Sequence, residues 1–175
     1  MEWLLIIAAL VTGLAVLLSW TAGRVDRLHH RVNSARAGLD AELMHRSGAT
    51  MELAATGLLD PARSLLLLDA AHQARTSQQV DRDMAESDLS RALLASLSDT
   101  DEIAQLQEHP DARDLLTELG NACRKVELAR RFHNDVVAST LSLRRIRVVR
   151  WFGLAGRAQM PAMVELDDSW PAALP

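Results

Sequence analysis

The chain has 175 residues, 49% hydrophobic and 24% charged, with a formal net charge of -4, a single cysteine and no tyrosine. That length suits one domain better than two. The acidic balance excludes a general nucleic-acid surface, which needs excess basic charge to displace counterions, and lone Cys123 excludes an intrachain disulfide or a CxxC centre. Aromatics are only 3% while Ala, Leu and Arg abound, so the expected fold class is all-α, with helices packed through small and aliphatic side chains.

The first element is "WLLIIAALVTGLAVLLSWTA", Trp3 to Ala22, which carries no charge over twenty residues. At about 1.5 Å of rise per residue it reaches about 30 Å, the thickness of a bilayer's hydrocarbon core. Trp3 and Trp20 fall where the two interfaces favour an indole. A cleaved signal would need a basic start and a small-residue cleavage site, whereas Glu2 precedes this run and arginines follow it. Residues 1–23 therefore read as an uncleaved single-pass anchor whose partner is the lipid bilayer. Arg24, Arg27, Arg31 and Arg36 after the span predict an N-terminus outside the cell membrane and a cytoplasmic remainder, where Cys123 would stay reduced.

Beyond the anchor, Val25, Leu28, Val32, Ala35, Leu39, Leu43, Arg46, Ala49 or Thr50, and Leu53 recur at steps of three and four. This is one amphipathic helix continuing out of the membrane. It is expected to stop near Gly57 to Leu59, where Asp60 can cap a new helix with Pro61 in its first position. The polar, poorly periodic stretch "TSQQVDRDMAESD" predicts a kink, a break or an exposed overhang, and Ser87 or Asp88 a cap for a short third helix bearing Leu89, Ala92, Leu93 and Leu97. "DEIAQLQ" adds a brief segment before His109-Pro110 breaks the chain. A long helix is then expected from Asp111 to about Trp151, striped by Leu115, Leu119, Cys123 or Ala122, Val126, Ala129, His133, Val136 or Val137, Thr140 and Leu143. Two long helices joined by shorter ones make an elongated antiparallel helical bundle over residues 24–156. The aperiodic, proline-containing and acidic stretch 157–175 is expected to be coil or disordered.

An N-terminal anchor, then "RVNSARAGLDAELMHRSGATMELA", "LLTELGNACRKVELARRFHNDVVAST" and "RWFGLAG" before an acidic end resembles the LemA family of bacterial membrane proteins. Asn33 and Ala35 ahead of Leu39, Leu43 and Arg46, the Ala74-Arg75 pair, and Glu127, Arg130 and Asn134 carry the likeness most specifically. The chain departs from the family pattern at "HRSGATME", at His133 where a tyrosine is usual, and at Arg144-Arg145 in place of Phe-Pro. The resemblance implies a single anchor and an elongated antiparallel bundle in the cytoplasm, without assigning an activity.

No constellation reads as a reaction centre. Glu42 and His45 form one Glu-x-x-His, but a dimetal bundle needs a second copy and two further carboxylates, so neither metal nor cofactor is expected. Ser139, His133 and Asp135 share a helix at spacings that do not converge as nucleophile, base and orienter. Arg46 interrupts an apolar stripe, and a buried guanidinium needs a partner. Glu127, Arg130 and Asn134 step by three and four beside the late stripe. The expected structural seam therefore pairs Arg46 with Glu127, closed by Arg130 and Asn134. "RRIRVVRWF" offers Arg144, Arg145, Arg147 and Arg150 to anionic lipid. The expected function is a membrane-anchored scaffold or adaptor for a membrane or cytoplasmic protein, not an enzyme; the alternative is an accessory or regulatory subunit of a membrane enzyme such as a protease.

Overall fold

The structure, a computed structural model, describes residues 1–78, 81–145 and 159–175, and every regular element among them is helical. Helix α1 (Glu2–Ala55) runs without interruption from the apolar segment through the amphipathic one, as the unbroken stripe predicts. Two residues past its end, Gly57 has a φ of +73°, in the left-handed region that glycine enters without a Cβ penalty. Asp60 then caps α2 (Pro61–Thr76), its carboxylate accepting from the Ala62 amide at 2.9 Å and the Arg63 amide at 3.3 Å. Proline at the first helical position gives up only an amide that would have been orphaned.

Helix α3 (Arg82–Leu97) differs from expectation by beginning before Ser87 and Asp88. The reason is that Ser87 is no cap: its hydroxyl donates to the Asp83 carbonyl at 2.6 Å, a bond made inside a helix. The expected break is there, with α2 ending at Thr76 and α3 beginning at Arg82, but the polar start of α3 is not an overhang, since Glu86 is 1% exposed and Ser90 0%. Asp99 caps α4 (Thr100–Leu106) through the amides of Asp101 and Glu102. The last helix, α5 (Pro110–Arg144), starts at the predicted proline boundary. Its expected end near Trp151 lies outside the described residues.

The chain divides into two compact units, one of residues 1–36 and 132–163 and one of residues 37–131 and 164–175. In the first, Val32 and Ala35 are buried with Val136 and Val137, and Leu141 packs beside them. The stretch Trp3–Ala22 contributes nothing to that core. An 18-residue window within it has a mean hydropathy of 2.3 and none of it is buried. Among the described residues it is the one helix long and apolar enough to cross a membrane.

In the second unit, Leu53, Leu67, Leu89, Leu93, Leu97, Leu116 and Leu119 are essentially inaccessible to water, each worth about 1.5–3 kcal/mol of burial. Ala70, Ala71, Ala74 and Ala92 lie among them, so small side chains let helices approach closely. A satellite cluster joins Leu39 and Leu43 to Val126 and, unexpectedly, to Val164 and Leu166. Residues 159–175 hold no helix or strand, in line with coil, but they are not disordered: Val164, Leu166 and Leu174 are 2%, 7% and 5% exposed. Burial alternates at 164 and 166 with exposure at 165 and 167, the period of an extended chain laid on a surface.

Candidate functional site

The second unit's most concentrated chemistry lies where segment 164–175 meets α3 and α5. Arg46 is 0% exposed, and its partner is Glu86. Nη2 of Arg46 donates to Glu86 Oε2 at 2.8 Å and to the Glu86 carbonyl at 3.1 Å, while Nη1 donates to Ser90 Oγ at 3.0 Å. Glu86 and Ser90 are one helical turn apart, so α3 presents a carboxylate and a hydroxyl to the same guanidinium. Burial pushes the Glu86 carboxyl above the usual carboxylate range, and the Arg46 charge and hydrogen bond oppose that rise. Nearer the start of α3, Arg82 reaches Asp40 of α1 at 3.3 Å.

The same face of α3 holds the tail. Asp83 Oδ2 accepts from the Glu165 amide at 3.2 Å, and Ser87 Oγ accepts from the Asp167 amide at 2.9 Å. Ser90 Oγ donates to the Asp167 carbonyl at 2.7 Å. Residues 83, 87 and 90 step along one helix face by four and three, and they meet alternate residues of an extended chain. Side chains thus satisfy the main-chain groups that a neighbouring strand would otherwise pair. Ser90 carries both jobs, accepting from Arg46 and donating to the tail.

Beyond Asp167 the tail is clamped by α5. Arg130 grips Asp168 with a two-pronged contact, Nε to Oδ2 at 2.7 Å and Nη2 to Oδ1 at 3.0 Å. That bond raises the Arg130 pKa further, so the guanidinium stays charged throughout. Asp167 Oδ1 accepts from the Ser169 amide at 2.9 Å, and hydrogen bonding from Ser169 holds the Asp167 carboxyl below its ordinary range. Arg124 sits 5.5 Å from the Trp170 ring centre, within cation–π range. A Cβ on Gly120 would lie 2.4 Å from the Pro175 carbonyl oxygen, so the tail's passage over α5 requires glycine there.

These groups hold chain; they do not form a nucleophile with a base. Cys123 is buried and its thiol is pushed up to about 11 by that burial, opposed by the Arg46 charge. Among the described residues no three His, Cys, Asp or Glu side chains converge where a cation would bind. Glu42 and Glu118 flank His45, at 3.9 Å and 3.2 Å, as an exposed charge cluster.

No family model, curated protein or solved structure matches the chain.

The predicted seam is redistributed. Arg46 pairs with Glu86, not Glu127, which lies one turn before Arg131 on α5 and pairs with it at 2.5 Å. Arg130 faces the tail at Asp168. Asn134 is half-buried in the unit of residues 1–36 and 132–163. Trp3 and Trp20 are 79% and 61% exposed, near the two ends of the apolar stretch. In the proposed lipid set, Arg144 donates to the Gln159 carbonyl at 2.9 Å and lies 3.3 Å from His29 Nε2, and Arg145 is exposed. Arg147 and Arg150 lie outside the described residues. The residues that sequence reasoning missed are Glu86, Ser87, Ser90, Asp83, Asp167 and Asp168. The signal that marks them is spacing, 83-87-90 on one helix face against alternating Val164 and Leu166.

Proposed function

We propose that the chain is a single-pass, membrane-anchored helical scaffold or adaptor of the LemA type, with no catalytic role. The observation that carries this reading is the run Trp3–Ala22, uncharged throughout and without a buried residue in its most apolar window. In water that much apolar surface would drive association, and a bilayer is the environment in which it costs nothing. The arginines after it favour an outside N-terminus and a cytoplasmic remainder.

An antiparallel bundle is the arrangement that fits the pairings within each unit. Val32 and Ala35 meet Val136 and Val137, and the earlier His29 meets the later Arg144. In the second unit the polar side chains near the tail are spent on holding segment 164–175, which favours a structural, partner-presenting role over a reaction. The partner is a membrane or cytoplasmic protein.

Alkaline extraction of membranes containing the full chain tests the anchor. The parent is expected in the membrane fraction, and Leu10→Arg/Leu14→Arg in the soluble one; a parent released by alkali refutes it. Protease protection of intact cells tests the orientation, with a digested C-terminal tag contradicting it. Crosslinking in native membranes tests the adaptor role, which fails if no protein neighbour is captured reproducibly.

A further inference from the structure

We propose that the first unit carries a binding site for the phosphodiester headgroup of an anionic phospholipid, formed by Arg24, Arg27 and Arg31 of α1 with Ser139 and Ser142 of α5. It rests on the reading that Trp3–Ala22 spans a bilayer. These three arginines step by three and four, so they share one face of α1. They line a cavity of about 720 Å³, with Trp20 and Leu28 of α1 and Ser139, Ser142 and Leu143 of α5. Three guanidinium groups thus border one space whose lining, among the described residues, includes no carboxylate.

The depth fits a headgroup. Along a helix Arg24 lies about 6 Å beyond Trp20, Arg27 about 10 Å and Arg31 about 16 Å. The polar region of a bilayer extends about 5–8 Å past the hydrocarbon on each side, so the Arg24 backbone falls within it, Arg27 a few ångströms beyond, and Arg31 about 8 Å or more beyond, where only a long side chain leaning back along the helix reaches a headgroup. Arg27 leans back toward the bilayer: its Nη1 lies 3.7 Å from where a Cβ on Gly23 would stand.

The chemistry fits as well. A guanidinium fork matches two phosphate oxygens in one plane; the Ser139 hydroxyl adds a neutral donor, while Ser142 Oγ, which donates to the Ser139 carbonyl at 2.8 Å, can accept from a headgroup alcohol. Trp20, Leu28 and Leu143 give the same cavity an apolar side that inorganic phosphate would not use. The cavity begins where the apolar helix ends, so a lipid seated there has an apolar helix surface for its acyl chains. This favours a lipid over a free anion.

The test uses the full chain in non-ionic detergent, with native mass spectrometry reading retained phosphatidylglycerol or phosphatidylcholine and inorganic phosphate as competitor. Selective retention of phosphatidylglycerol is expected, falling roughly tenfold or more in Arg24→Gln/Arg27→Gln/Arg31→Gln, since each arginine near such a surface is worth roughly fivefold. Removing three arginines elsewhere, as Arg91→Gln/Arg113→Gln/Arg131→Gln, should leave selectivity intact. Ser139→Ala/Ser142→Ala keeps every charge and should weaken retention. Equal retention of both lipids, selectivity surviving in the first triple variant, no effect of the serine changes, or displacement by millimolar phosphate would each overturn the site as assigned. Flotation on phosphatidylcholine vesicles separates the two readings. If parent and triple variant both float, the anchor stands whatever the headgroup result; if the parent does not float, the anchor and the headgroup site fall together.

Discussion

Replacing Arg46 by methionine removes a guanidinium that is 0% exposed and leaves Glu86, 1% exposed, without its cation. Methionine keeps the aliphatic stem but ends short of the guanidinium position, so a small packing loss adds to the cost of the unpaired carboxylate. Breaking a buried ion pair from one side typically costs about 3–5 kcal/mol, a large share of the 5–15 kcal/mol that holds a typical domain. The penalty should depend on pH in a defined sense. The Glu86 carboxyl already titrates above its ordinary value of 4.5, so in acid it is protonated in both states and costs nothing. As pH rises from about 4.5 toward the raised folded value, the unfolded chain loses this proton first, and native stability falls. Without Arg46 the folded value rises further, so Arg46→Met should lose most stability near neutrality and recover part of it toward pH 4.5. The double variant Arg46→Met/Glu86→Leu should return to within about 1 kcal/mol of the parent or exceed it. Recovery is favoured because Arg46 Nε finds no acceptor among the described residues, so the native network is incompletely satisfied. Urea unfolding of the full chain in detergent, followed by far-ultraviolet circular dichroism, measures all four corners of the cycle. A single-variant cost below about 1 kcal/mol, or effects that simply add, would refute the pairing.

The tail supplies the other tests. Arg130→Leu removes the two-pronged grip on Asp168 and should weaken docking by about 1.5–3 kcal/mol, speeding limited proteolysis within 159–175; unchanged cleavage would count against the clamp. Gly120→Ala places a methyl 2.4 Å from the Pro175 carbonyl, so amides near Trp170–Leu174 should exchange faster while α5 keeps its helicity. Asp167, whose carboxyl is held below 3.8, contributes stability present above that value and lost as pH falls through its folded pKa. Asp167→Asn should flatten this acid limb, and an identical limb would exclude Asp167 as its source. With its thiol at about 11, Cys123 is thiolate in only about one molecule in a thousand at pH 8. Alkylation should therefore be slow in the parent and faster in Arg46→Met, through local opening of the core.

Helix existence was legible wherever a local rule acts alone. The Asp60-Pro61 start, the Pro110 boundary and the unbroken course of α1 follow from capping, from the fixed φ of proline and from an uninterrupted 3.6-residue stripe. The start of α3 was not legible by that route. A Ser or Asp suggests a cap only if its side chain turns back on the following amides, and Ser87 instead bonds a carbonyl behind it and the tail ahead. Composition likewise marked 159–175 as aperiodic, because it tests for the helical period and for charge. The alternation of Val164 and Leu166 is too short to stand out by itself, and it becomes meaningful only beside the α3 face that receives it.

The partner of Arg46 makes the same point for the site. A charge in an apolar stripe requires a partner, but the requirement carries no address. Glu127, the carboxylate beside the stripe of the other long helix, is at 28% side-chain exposure partly solvated and already paired with Arg131 one turn away. The residue that meets Arg46 lies in the stretch whose polarity suggested an overhang. Counted as a core position, Glu86 extends the stripe of Leu89, Leu93 and Leu97 backward without a break in period, Ala85 joins it, and Ser90 lies within it. Polarity hid a helical face that was buried because Arg46 neutralises it from one side and the tail backbone saturates it from the other. An aperiodic polar run in a helical chain can thus be a core face whenever a neighbouring stripe contains a charge that needs a partner.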